Sequence, residues 1–177
     1  THSKFEQILS FSKDDLSHRE EVVSIEGVAL LKSPNQDNKF DFIISTEKKI
    51  AYPKALINFQ KPGTGVWSID MISSVNGLAS FKLNEMQTIA SSEKGSTLHV
   101  KDPVGFNDSR GNTHVLFCHH PFSWSSSNTG LISREAGKDS FELKSENILN
   151  RGNTWDVACS RITEKISIPK LGQFADI

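Results

Sequence analysis

Val66–Met86 reads VWSIDMISSVNGLASFKLNEM, two strand-like runs on either side of Asn76-Gly77. That dipeptide is the strongest short-range signal for a type I′ turn, in which both central residues need positive φ. A two-residue loop there sets Val75 against Leu78. Pairing then runs outward through Ser73/Ser80, Met71/Lys82, Ile69/Asn84 and Trp67/Met86. Apolar groups fall on both faces of such a hairpin, with Met71, Ile69 and Trp67 on one and Ile72, Phe81 and Leu83 on the other. A hairpin of this kind needs cover on both sides, as in a sandwich or a closed barrel.

The flanking sequence repeats the theme. Glu21–Lys32 (EVVSIEGVALLK) is rich in β-branched residues, with Gly27 placed for a bulge, and Phe40, Phe42 and Ile44 alternate with Asp41 and Ile43. The polar turn 33–38 between them predicts a hairpin. Ile50–Gln60 reads as a strand whose start Pro53 confines to an edge or bulge position, and Lys48-Lys49 with Pro53 marks an edge protected from pairing. Further strands are expected at Thr97–Lys101, Thr113–Trp124, Leu131–Ser133, Phe141–Leu143 and Thr154–Ile168, the last with a bulge near Ser160-Arg161. Asp102–Asn112 and Ser125–Gly130 read as loops. Nine or ten short strands with closely spaced turns predict an all-β antiparallel sandwich or barrel.

One stretch departs from strand periodicity. Ser3-x-x-Glu6 has the form of a capping box, and Phe5, Ile8 and Leu9 follow at helical spacing. The whole chain, 1–177, is read as one domain, with a helical arm over 1–20 plugging one end of a β-structure over 21–177. At 177 residues, 36% hydrophobic and 23% charged, it is long enough to bury a core and too apolar for global disorder. A net charge of −1, with Lys48-Lys49 as its longest basic run, argues against a nucleic-acid partner. No apolar segment reaches the roughly 20 residues that span a bilayer as a helix.

Reactive residue types gather in Thr113–Trp124, THVLFCHHPFSW. On an extended strand Cys118 and His120 share a face about 6–7 Å apart, a spacing two ligands of one metal can use. His99 or Asp102 is the candidate for a further ligand, which would make a zinc-like divalent site and a metal-dependent hydrolase centred on His120. Neither Cys-x-x-Cys nor His-Glu-x-x-His occurs to supply a recognisable set. There is no Gly-x-Ser-x-Gly elbow either. A mid-strand Cys118 lacks the helix N-terminus or cation that activates a thiol. The two cysteines, Cys118 and Cys159, lie in apolar strand-like contexts that favour buried free thiols. GTGVW at Gly63–Trp67 resembles the Gly-x-Trp of lipocalins, though it stands some sixty residues into the chain, and no function is carried over from it.

Phe122 and Trp124 lead directly into SSSNTG at Ser125–Gly130. An aromatic beside a loop of small polar residues supplies contact area at low entropic cost, as sugar- and peptide-binding surfaces do. The alternative for Trp124 is a cap on the core at a barrel end, and Trp67 and Trp155 read as core. The favoured expectation is therefore a non-enzymatic, lectin-like or structural module without a cofactor. It would bind a glycan, a protein partner or copies of itself through Trp124, Phe122, Ser125, Asn128 and His120.

Overall fold

A computed structural model of the chain describes residues 5–34, 36–163 and 165. It is all-β. The strands are β1 (Val22–Lys32), β2 (Phe40–Lys48), β3 (Val66–Ser73), β4 (Gln87–Ala90), β5 (His99–Asn107), β6 (Thr113–His120), β7 (Asn128–Arg134) and β8 (Glu142–Leu149). They form two antiparallel four-stranded sheets, β1-β2-β3-β4 and β5-β6-β7-β8. Ile43, Ile69 and Met71 of the first sheet pack with Val100, Val115, Phe117 and Ile132 of the second in one buried core. No helix among the described residues is long and apolar enough to cross a membrane.

The second apolar face foreseen for β3 is real. Ile44 and Ile72 point away from the shared core and are covered by Leu16 and Val22, with Phe11, Phe81 and Met86 around them. The N-terminal arm thus covers the sheet, but not as a helix. Its one regular piece is a 3₁₀ turn at Asp14–Leu16, and Phe5 and Ile8 are exposed. A short amphipathic segment gains helical stability mainly by burying its apolar face, and here only Phe11 and Leu16 find a core to join. Ser3 of the expected capping box lies outside the described residues.

The central hairpin forms in a different register. Gly77 has φ +80°, but Asn76 stays out of the left-handed region, so the type I′ turn is not made. The loop is instead tied to its neighbour: Gly77 N–H donates to the Asn38 carbonyl at 2.6 Å, and the Asn38 and Asn76 side chains bond to each other. Ser74 then bridges Phe81, a 3₁₀ turn at Leu83–Glu85 breaks the arm, and pairing resumes with Met71 opposite Gln87. Tertiary hydrogen bonds from the 33–39 loop override the local turn preference.

Gly27 provides the foreseen bulge, with φ +56° at a register shift between Glu26 and Val28. The other corrections are of two kinds: backbone groups find partners outside a ladder, or a ladder takes in residues whose composition is that of a loop or an edge. Ile50–Gln60 is not a strand, because Gln60 folds back to accept from Tyr52 N–H and donate to the Ile50 carbonyl. Residues 102–107 continue β5 through a bulge at Lys101/Val104, where Pro103 fits and Asp102 takes φ +56°. Asn128–Gly130 belongs to β7. Residues 154–163 form no strand beyond a single bridge of Cys159 to Ser127, because Arg151 and Thr129 side chains bond the 157, 158 and 160 carbonyls. The expected Ser160-Arg161 bulge goes with that strand, whose remaining residues are largely outside the described set. Trp155, read as core, is 92% exposed. Lys48, read as an edge marker, is buried on the central strand β2.

Candidate functional site

The β5–β6 register places His99 directly opposite His120. After His120 the chain turns at Pro121, whose carbonyl accepts from Trp124 N–H at 2.9 Å. Trp124 takes φ +57°, a left-handed conformation that is rare for bulky side chains. The turn lays the indole over both histidines. Its ring stacks on His99 at 4.2 Å between centroids with 15° between planes, and meets His120 at 4.9 Å and 40°. His99 and His120 are buried, whereas Trp124 is 44% exposed. The result is an aromatic surface with a buried backing.

Electrostatics keep that backing neutral. Trp67 N–H donates to His99 Nδ1 at 3.5 Å, so Nε2 carries the ring proton and donates to the Tyr52 hydroxyl at 3.2 Å. Burial depresses the His99 pKa to about 4, helped by the nearby His120 and Lys101. Burial also lowers the pKa of His120, as does Arg161, while His120 Nδ1–H donates to the Ser126 carbonyl at 3.1 Å. Lys101 stands beside the stack, its ammonium 4.0 Å from the Trp67 ring centre and 5.4 Å from that of Trp124. Glu26 on β1 pairs with it. A cation over two indoles adds attraction through the ring quadrupoles.

The remaining expected site residues divide. Phe122 faces inward, its ring 5.0 Å from Phe59 and packed on the Tyr52, Val66 and Leu98 cluster. Ser125 is exposed and bonds Ser123 through the two hydroxyls at 2.9 Å. Asn128 sits at the start of β7, accepting from Arg151 Nε at 2.9 Å. Trp124 and His120 therefore come together, with Ser125 close in sequence, while Phe122 serves the core.

His99 and His120 do meet, but Cys118 lies opposite Lys101, and both His99 ring nitrogens are engaged by protein groups. No group of three or more His, Cys, Asp or Glu side chains among the described residues is arranged to hold a metal ion. Cys118 is a buried free thiol whose pKa rises to about 11 through burial, so it is not a thiolate at neutral pH. Cys159 is also free, but exposed.

Sequence reasoning missed Tyr52, Lys101 and Glu26 as parts of this cluster. Alternation on β5 puts His99 and Lys101 on one face, which was legible. The approach of Tyr52 and Glu26 depends on how the sheets pack. No protein-family model matches the chain, and neither a search of curated proteins nor one of solved structures finds a match.

Proposed function

We propose that this chain is a non-enzymatic recognition module whose Trp124 platform takes the apolar face of a sugar ring, with the hydroxyls of Ser123 and Ser125 near it in the same loop. One observation carries the reading. A bulky residue in the left-handed region costs on the order of 1–3 kcal/mol, yet Trp124 adopts it while leaving 44% of its surface exposed. A conformation that costs energy yet leaves nearly half of the residue exposed favours presentation of the outer ring face. Stacking on His99 and the nearby Lys101 then hold the ring in place, so little ordering entropy is lost on binding.

A second reading has its own support. β8 is the outer strand of its sheet, and Leu143, Ile148 and Leu149 on it are exposed. Such an edge favours a protein partner or another copy of the chain. The metal-dependent hydrolase around His120 has no comparable support.

A glycan array probed with the wild-type chain, Trp124→Ala and Trp124→Phe tests the first reading. Trp124→Ala is expected to lose more than tenfold in affinity for the glycans bound by wild type, on the scale of a central aromatic anchor, and Trp124→Phe to lose less. Trp155→Ala, which removes a more exposed indole elsewhere, should bind as wild type does. An empty array, or equal losses for Trp124→Ala and Trp155→Ala, would overturn the proposal.

A further inference from the structure

A second group of reactive side chains lies at the opposite end of the β5–β6 pair from Trp124. There β6 sets His114 between Phe106 of β5 and Ser133 of β7. Their sequence neighbours Val115 and Ile132 point into the shared core, so alternation puts His114, Leu131 and Ser133 on the outer face of the sheet. On that face they line an open cleft of about 560 Å³, together with Arg110, Asn112 and Lys144. His114 Nδ1 is 2.8 Å from Ser133 Oγ, and its Nε2 is 3.3 Å from Asp108 Oδ2. The Phe106 ring stacks on the imidazole at 5.0 Å with 25° between planes. Ser133 is 6% exposed, while the His114 side chain keeps 20% of its surface in solvent.

The loop between β5 and β6 holds Asp108 in place. Its Oδ1 accepts from the Arg110 and Asn112 N–H groups, both at 2.9 Å, and its Oδ2 from the Asn112 side-chain amide at 2.8 Å. Desolvation alone would raise its pKa, but these bonds and the one from His114 hold the carboxyl well below the usual carboxylate range. An ionised carboxylate can only accept, so Nε2 carries the imidazole proton and Nδ1 of the neutral ring is an acceptor. The Ser133 hydroxyl therefore donates to Nδ1. A hydroxyl bonded to a base that a third group orients is the arrangement of an activated nucleophile. We infer that Ser133 is an acyl-acceptor site for an activated ester or thioester, with His114 as its general base and Asp108 as the residue that positions the ring. Ser133 Oγ forms a bond to the acyl carbon as its proton passes to Nδ1. The bond to the leaving oxygen or sulfur then breaks, that group departs with the electron pair, and His114 returns the proton to it. This site is separate from the Trp124 surface and does not depend on it.

The probe is p-nitrophenyl acetate, with the acetylated positions of the whole chain mapped over time by mass spectrometry. Hydroxylamine cleaves an ester on serine and spares an amide on lysine, so it isolates the serine label. In the wild-type chain Ser133 is expected to be acetylated about a hundredfold faster than Ser140, the scale of general-base assistance. Exposure alone would favour Ser140, which is exposed. His114→Gln keeps a hydrogen-bond acceptor but no base, and should slow Ser133 about a hundredfold. Asp108→Asn leaves an oxygen for the Arg110 and Asn112 N–H groups and turns an amide N–H toward Nε2. In ¹⁵N spectra of the neutral imidazole the proton should then move from Nε2 to Nδ1, and Ser133 acetylation should fall with it. Where a variant fails to fold, the wild-type comparison of Ser133 with Ser140 still decides. Label on lysines alone, Ser133 no faster than Ser140, an unchanged rate in folded His114→Gln, or an Nδ1–H tautomer in wild type would each overturn the inference.

Discussion

Replacing Lys48 by methionine is expected to destabilise the chain by about 3–5 kcal/mol, the cost of leaving one buried charge without its partner. Lys48 Nζ lies 2.7 Å from Asp70 Oδ1, with the two side chains 6% and 0% exposed. The carboxylate also accepts from the hydroxyls of Thr46 and Thr88, the latter at 2.6 Å. Without the ammonium, Asp70 keeps those bonds but not a countercharge, and water is excluded from it. Urea denaturation reads the effect as a midpoint shift of about 2 M at an unchanged slope, since slopes run about 1–3 kcal/mol per M. The double replacement Lys48→Met with Asp70→Leu should recover most of the loss, because an apolar pair of similar volume needs no desolvation of charge. A single-variant loss below about 1 kcal/mol would place the pair in water, since exposed pairs contribute no more than that.

Acidification should weaken the fold through His99. Its unfolded pKa is near 6.5 and its folded pKa about 4. Between those values the unfolded chain binds a proton that the folded chain refuses, so stability rises with pH across this window. The contribution is complete above pH 6.5 and is lost as pH falls toward 4. A shift of this size corresponds to roughly 2–3 kcal/mol between pH 7 and pH 4.5. The lowered pKa of His120 adds in the same direction. Urea denaturation at the two pH values checks the loss, and His99→Phe should remove most of the difference by deleting the titrating ring. A His99 titration near 6.5, followed by its Hε1 resonance, would contradict the assignment of that ring to a buried, neutral stack.

The parts of the fold visible in the sequence were those fixed by alternation within a few residues. β1, β2, β6 and the bulge at Gly27 follow from side-chain period and one glycine. What escaped was set by contacts across long stretches of chain. The Asn76-Gly77 loop yields to hydrogen bonds from Asn38, and Lys48 looks like a solvated edge charge until Asp70 is known to face it. Thr154–Ile168 has the composition of a strand, but its described part makes one bridge, Cys159 to Ser127, and its 157, 158 and 160 carbonyls are taken by Arg151 and Thr129. The candidate site divides in the same way. Trp124 and His120 are four residues apart and were legible together. Phe122, with the same local credentials, packs on the Tyr52, Val66 and Leu98 cluster, and nothing in its neighbourhood announces that.

The account turns on Trp124 being held flat against His99 at the end of the β5–β6 pair. A two-dimensional NOE spectrum of the wild-type chain tests this most directly. Cross-peaks are expected between the Trp124 indole protons and the His99 imidazole protons, with the imidazole resonances shifted upfield by the stacked ring. A Trp124 indole with random-coil shifts and no cross-peak to His99 would show a freely rotating loop residue, and the platform would not exist.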